Sequence, residues 1–283
     1  MSTKIENFTV MAEGTKECGA IVWWSLSGYV RLDTLTKALI AQDVPEGWAP
    51  LPVGPKMALT RAVTELQERQ RMVRTLEERG RYAVVDERVA GDDWEAKVRC
   101  RVWLENELPK TEPFDREIHD RVSESYHEHL EVLSHDDISI WLTRMTRNVY
   151  AVTLRDRGGI YFVPRAHMET WRKVSAALAS VSKHACYEVP ALGSEDAIAA
   201  ITAAILREAE QAAKDFEDAV ASVNLGERAL NNRVEKCRAM AEKVQMFERL
   251  LGVSMEAMLT SLTTLEGQLA AAALACAAET EAA

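Results

Sequence analysis

Cysteine is scarce in this sequence, and its spacing suits neither disulfide bonds nor a metal site. The 283 residues contain five cysteines, an odd number, and no two of them form a C-x-x-C pair. Widely spaced single cysteines are typical of reduced thiols in an intracellular protein rather than of a disulfide framework or a zinc site. We therefore expect most of the cysteines to be packing residues. They are Cys18, Cys100, Cys186, Cys237 and Cys276.

Long hydrophobic runs are also missing. The least polar stretch, LAAAALACAA at 269–278, is about half the length that crosses a bilayer. The first residues, MSTKIENFTVMAEG, lack the basic and then apolar pattern of an export signal. We expect a cytoplasmic protein that does not contact a membrane.

Positive charge is in deficit across the chain. Lys and Arg number 34 against 44 Asp and Glu, and the formal net charge is -10. Such a chain is not expected to coat nucleic acid, because phosphate contact needs a local excess of cations. DNA binding would require a confined basic patch.

Signatures of catalysis and cofactor binding are absent from the sequence as well. It contains no G-x-S-x-G, H-E-x-x-H or phosphate-loop pattern. Four of the six histidines lie between His119 and His135. His127 with Glu131 has helical ligand spacing, but two ligands do not make a site. We predict no catalytic residue, no cofactor and no metal, and we favour a non-enzymatic protein.

Composition changes sharply near Ser194. All eight prolines precede this residue, whereas alanine, glutamate, leucine and methionine dominate after it. The length suggests two domains, and 47% apolar residues can form a sizeable core. The predicted class is α+β: a mixed domain of antiparallel strands and helices at 1–193, then an antiparallel helical hairpin or coiled coil at 194–283.

Periodicity predicts the elements of the first domain. The run GAIVWWSL at 19–26 indicates a buried strand, and apolar residues from Leu59 to Leu76 recur as on one helix from Pro55 to about Gly80. Two strands at 81–89 and 94–105 are expected to form a hairpin. Alternation in the second strand predicts one buried face, composed of Val98, Cys100, Val102 and Leu104.

Trp103 lies on the opposite face of that predicted strand, together with Arg99 and Arg101. Two interpretations are open for it. The ring could stack on a base or on a partner's side chain, or it could be buried under a neighbouring helix as large aromatic residues usually are. The second interpretation is the simpler one.

The helical region carries a continuous apolar seam with spacings of three and four residues. This spacing is typical of helices that pack in a hairpin or a coiled coil, within one chain or between chains. It predicts self-association, or binding of another protein, as the primary function. The seam is formed by Ile201, Ile205, Phe216, Val223, Leu230, Val234 and Val244.

A basic hairpin offers an alternative function. VYAVTL at 149–154 and IYFV at 160–163 can pair across Gly158-Gly159, and the helix–hairpin–helix order of 134–181 is compatible with a winged helix. Seven basic residues stand against two acids between 144 and 173, although such arginines often pair with acidic neighbours on a solvated face. The predicted DNA contacts are Arg144, Arg147, Arg155, Arg157, Arg165, Arg172 and Lys173.

Three motifs resemble those of an uncharacterised family of phage and plasmid proteins. They are the IVWWSLSG start, the ALTRAV helix and the LRDRGGIYFVP hairpin with its GG-[IV]-YFVP core, within residues 19–190. The resemblance implies a mobile-element context and no known activity. We therefore hypothesise a phage- or plasmid-type accessory protein that associates through its C-terminal helices, with a DNA-binding or DNA-metabolism factor as the alternative.

Overall fold

A computed structural model describes residues 17–90, 93–155, 158–221 and 225–282. They form two compact units. The first, here called the helical unit, contains the described residues up to Ser25, Leu142–Arg172 and those from Cys186 onward. The second, here called the meander unit, contains Leu26–Trp141 and Lys173–Ala185.

The helical unit joins strands from before residue 193 to helices from after it. The sequence predicts that residues 1–193 and 194–283 are separable domains, and this boundary stays a prediction. Helices α4 (His135–Asn148) and α5 (Met168–Val181) contribute residues to both units. The other elements of the helical unit are β1 (Glu17–Ser25), β8 (Val152–Thr153), β9 (Tyr161–Pro164), β10 (Ala185–Leu192), α6 (Glu195–Ala221), α7 (Glu227–Leu251) and α8 (Glu256–Ala282).

The sheet of the helical unit has the strand order β10-β1-β9-β8. The predicted hairpin is confirmed, since β8 pairs with β9 antiparallel and Val152 lies opposite Phe162. On its other side β9 pairs antiparallel with β1, from Gly19 opposite Pro164 to Val22 opposite Tyr161. The hairpin is therefore built into a sheet rather than projecting freely from a helical domain.

Helices α6, α7 and α8 pack on one face of this sheet. Ile21, Val152 and Phe162 join the apolar core of the three helices, and the ring centroids of Phe162 and Phe247 lie 6.1 Å apart. Both rings are fully buried. The C-terminal helices thus pack together, as the predicted α+β class requires.

A glycine with a positive φ angle ends α7. Gly252 has φ 66°, and its N–H donates to the carbonyl oxygen of Glu248 at 2.9 Å. The Glu248 carboxylate in turn accepts from the Met255 N–H at 2.8 Å, just before α8 begins. This left-handed C-cap reverses the chain between the two helices.

Close packing requires a glycine at position 19. A Cβ atom there would meet the carbonyl oxygen of Val163 and lie 2.7 Å from Cζ of Phe162. Exposed Gly267, inside α8, has no such neighbour within 4 Å.

Replacing Gly19 with alanine is therefore expected to destabilise the protein by about 1–3 kcal/mol through overpacking. The matched change Gly267→Ala is expected to stabilise it by about 0.5–1 kcal/mol, because alanine suits a helix interior better than glycine. Denaturant unfolding of the full chain measures both. Equal free energies of unfolding for Gly19→Ala and the wild type would contradict the packing of Phe162 on β1.

The meander unit contains these elements: β2 (Val30–Arg31), α1 (Leu32–Ala41), α2 (Pro55–Thr64), β3 (Arg71–Thr75), β4 (Tyr82–Ala90), β5 (Asp93–Glu105), β6 (Leu108–Glu112), α3 (Arg116–Glu131) and β7 (Val132–Leu133). Four of the strands form an antiparallel sheet in the order β3-β4-β5-β6, and β2 pairs with β7 in a two-stranded sheet. Asp115 precedes α3 and caps it by accepting the Ile118 N–H at 3.1 Å.

The long helix predicted from Pro55 to about Gly80 is wrong beyond its first half. Helix α2 ends at Thr64, and the chain turns through Glu68, whose N–H donates to the Arg71 carbonyl at 2.9 Å. Val73 then pairs with Val84 inside a sheet. The apolar residues of α2 and those of β3 together have the spacing of one long helix. Only the pairing of β3 with β4 shows that the second group belongs to a strand.

The predicted β4–β5 hairpin is confirmed, but the predicted buried face of β5 is wrong at Val98. Cys100 and Val102 are fully buried, whereas Val98 is 54% exposed. The cause is a register shift: Val84 pairs with Cys100 and Val85 with Val98, which leaves Arg99 as an extra residue. Such a bulge reverses the alternation on one side of it.

The bulged Arg99 binds the acidic start of α3. Its Nε lies 2.6 Å from Oδ2 of Asp115, and a terminal nitrogen lies 2.7 Å from Oε2 of Glu117. This guanidinium holds the pKa of Asp115 below its usual range. The basic side of β5 is therefore neutralised at this point by the helix that follows the sheet.

Candidate functional site

Aromatic rings anchor the hairpin turn to the sheet of the helical unit. Gly158 has φ +112°, and the guanidinium of Arg155 packs over it. Gly159 lies against Trp24, whose ring stacks on Tyr161 with centroids 5.2 Å apart. On the other face of the strand Phe162 enters the core, so the double glycine fits a turn held from both sides.

The structure divides the seven predicted DNA contacts into different environments. Arg147, Arg155 and Arg165 are exposed in the helical unit, while Arg144 is half-buried there. Half-buried Lys173 belongs to the meander unit. Arg157 lies outside the described residues.

Arg172, one of the predicted DNA contacts, forms an ion pair with Glu188. Its guanidinium binds Glu188 of β10 through two nitrogens, at 3.0 Å from Nε and 2.8 Å from a terminal nitrogen. The fork geometry suits a carboxylate. This arginine therefore follows the structural alternative, in which a basic run pairs with acidic neighbours.

Sequence reasoning missed a buried cation beside the hairpin. The ammonium of Lys243, on α7, donates to the Ala151 carbonyl at 2.7 Å and to Glu208 Oε1 at 2.6 Å. Burial lowers the pKa of Lys243, and the contact with Glu208 opposes that shift. Lys243 directly precedes the seam residue Val244, so the period of the seam does not indicate its burial.

The predicted interaction seam lies inside one chain. Its described members have at most 8% of their surface exposed, and they pack in the core of the helical unit. Val223 lies outside the described residues. Of the two arrangements left open by the sequence, the structure contains the packing within one chain, and association of several chains stays a prediction.

Trp103 is neither a core residue nor a free stacking surface. It is half-buried, and the cations of Arg81 and Lys110 lie 5.1 Å and 5.5 Å from the centroid of its ring. Both cations come from the same unit. The ring therefore stabilises its own sheet through cation–π contacts.

The side chains of the histidine-rich segment contact residues of the meander unit. His129 is buried and its Nε2 lies 2.9 Å from Glu65, while His127 Nδ1 lies 2.6 Å from the Ser123 carbonyl. Within the described ranges no three His, Cys, Asp or Glu side chains could together hold a metal ion. The absence of a metal site in the protein remains an expectation.

A different histidine, His184, is buried in the meander unit with 3% of its surface exposed. Its Nδ1 accepts the Ser27 N–H at 2.9 Å, so the proton of the neutral ring lies on Nε2. In the part of the chain that the structure describes, Nε2 has no hydrogen-bond partner. Burial lowers the pKa of His184, and the nearby His135 lowers it further.

This lowered pKa predicts a loss of stability in mild acid. As pH falls through about 6.5, the ordinary histidine pKa, the unfolded chain binds a proton at His184 before the folded chain does. Stability is then lost until the pH reaches the folded-state pKa. In His184→Asn, an amide oxygen can replace Nδ1 as acceptor, and denaturant unfolding between pH 7 and pH 5 should show a smaller decrease than in the wild type. An identical pH dependence would contradict the assignment to His184.

The outer face of α8 is almost free of charge. Between residues 257 and 278 the only ionisable acid or base other than Cys276 is Glu266, whose carboxylate lies 2.8 Å from Arg238 of α7. Leu274, 73% exposed, is the one large apolar side chain on this face. Its exposed residues are Ala257, Thr260, Thr263, Thr264, Gly267, Gln268, Ala271, Leu274, Ala275 and Ala278.

No helix among the described residues is long and apolar enough to span a membrane.

These features define an α+β protein with an antiparallel meander sheet, a four-stranded sheet that contains the glycine hairpin, and C-terminal helices that pack together on it. The model of a family of unknown function, DUF6744, matches residues 18–280, and the chain belongs to this family. No curated protein and no solved structure matches the chain.

Proposed function

We propose that this protein is a non-enzymatic accessory protein of phage or plasmid type that self-associates through the outer face of α8. The proposal is based on the outer face of α8 between residues 257 and 278, which has almost no charge. The seam cannot serve two purposes, because its described residues already fill the core of one chain. Association through the C-terminal helices therefore needs another surface.

Electrostatics favour a second copy of the chain as the occupant of this surface. Two molecules with a net charge of -10 repel each other. The contact is least unfavourable where neither partner has to bury an ionised group. The face from Ala257 to Ala278 is about 33 Å long at 1.5 Å per residue, and its small residues permit close approach of a symmetry-related helix.

Changing Leu274 to glutamate tests this proposal. A carboxylate in the apolar contact is expected to return the protein to the monomer, because burying an unpaired charge is strongly unfavourable. Sedimentation velocity over a range of concentrations measures the mass. The control, Asn232→Glu, adds the same charge at an exposed position of α7 and should leave the wild-type mass unchanged. A monomeric wild type, or an unchanged oligomer in Leu274→Glu, would exclude the α8 contact.

A second candidate function is nucleic-acid binding at the hairpin. It is favoured by the exposed side chains of Arg147, Arg155 and Arg165, since no carboxylate of the described residues forms an ion pair with them. All three belong to the helical unit, which contains the hairpin.

Salt titration of binding to duplex DNA tests this second function. Removing one phosphate contact, in Arg155→Ala or Arg165→Ala, should lower the slope of log affinity against log salt by about one unit. Arg69→Ala, an exposed arginine of the meander unit, serves as the control and should keep the wild-type slope. If the slopes of both hairpin variants equal the wild-type slope, these arginines are not phosphate contacts.

A further inference from the structure

We propose that the β10-β1-β9-β8 sheet of the helical unit binds single-stranded nucleic acid. The bases would stack on the ring pair of Trp23 and Tyr187, at the end of the sheet beside the hairpin turn. This proposal rests on the second candidate function and narrows its ligand. It is independent of the contact proposed for α8.

The strand register places an apolar row across this end of the sheet. Val22 lies opposite Tyr161, so the next residue of β1, Trp23, lies on the β1 strand beside Ile160, the residue before β9. The Leu154 N–H donates to the Ile160 carbonyl at 3.0 Å, which continues the row to the end of β8. On the other side of β1, Tyr187 of β10 stacks on Trp23 with ring centroids 5.4 Å apart and planes 20° apart.

This row lies on the face that the helices cover only in part. Side chains two residues apart on a strand share a face, so Trp23 follows Ile21 on the side that packs on the helical core. Farther along that side Phe162 is fully buried. Tyr187 is 45% exposed and Val189 48% exposed, so the helices leave the β10 side of this face open.

A cation lies at the same end of the sheet. The exposed side chain of Arg155 packs over the turn at Gly158. The acid nearest to Tyr187 in sequence, Glu188, points to the opposite face by alternation and binds Arg172. The sheet end with the aromatic pair thus also carries an arginine suited to a phosphate, whereas the carboxylate next to Tyr187 is neutralised.

An exposed aromatic ring favours single strands over duplexes. In a duplex each base is stacked between its neighbours, whereas a single strand offers its base faces to protein rings. Stacking requires only a π face, so the proposed contact has little sequence preference. An aromatic pair on a sheet with a cation at its border therefore fits an unpaired strand better than a double helix.

The experiment uses the full-length protein and a fluorescent oligothymidine of about 12 nucleotides, a length within the site sizes of single-strand binding folds. Fluorescence anisotropy measures its affinity and that of the matching duplex. Tyr187→Ala is expected to weaken oligothymidine binding by about 5- to 150-fold, the equivalent of one stacked base. Tyr187→Phe keeps the ring and should keep the affinity within about twofold of the wild type on the same stacking argument. Tyr29→Ala removes a 62% exposed ring of the meander unit and should have no effect.

The outcomes separate this inference from the function on which it rests. Weaker single-strand binding in Tyr187→Ala, with Tyr187→Phe and Tyr29→Ala unchanged, supports it. Binding of the duplex alone, or single-strand binding that does not depend on Tyr187, overturns the inference and leaves the hairpin arginines as duplex contacts. No binding of either nucleic acid at low salt overturns both. Thermal unfolding of each variant verifies that the fold is intact.

Discussion

The burial of Phe162 between the sheet and the helices is the contact on which the helical unit depends. This residue comes from a strand of only four residues, yet it touches β1 at Gly19 and α7 at Phe247. It thereby joins the beginning, the middle and the end of the sequence in one core. Contacts so distant in sequence require closing long loops, which is entropically unfavourable, so the apolar burial must offset that cost. Separating residues 1–193 from the rest would remove the helical cover from Phe162, although the predicted boundary itself stays a prediction.

Much of the positive charge in this acidic chain stabilises structure. Arg99 ties β5 to the start of α3, Arg172 ties α5 to β10, and Lys243 ties α7 to the residue before β8. Each pairing removes a cation from the set available to a ligand. The exposed arginines at the hairpin are not paired in this way, and the outer face of α8 has almost no charge. The two proposed functions follow from this division. A nucleic-acid phosphate needs the arginines at the hairpin, and a second copy of this acidic chain can pack on the nearly uncharged face of α8.

Local chemistry made several elements predictable. The double glycine with flanking apolar runs indicated a hairpin because few other residues accept the φ angle found at Gly158. The spacing of Ile201, Ile205 and Phe216 indicated a buried helix face, and all three are buried. The candidate sites were less predictable. In the sequence, Arg155 and Arg172 belong to one basic run. The structure pairs Arg172 with Glu188 of β10. No local sequence pattern indicates that β10 lies beside α5.

The sequence by itself determined the α+β class, the change to helices near Ser194, and the apolar faces, because these depend on turn residues and on periods of two or 3.6 residues. Tertiary structure alone decided where those faces are buried. It ended α2 at Thr64 and made a strand of 71–75, because β4 offers backbone hydrogen bonds that a helical count cannot anticipate. It reversed the alternation at Val98 through one extra residue. It also placed the seam inside the chain, since helices of one molecule meet at a far higher effective concentration than helices of two.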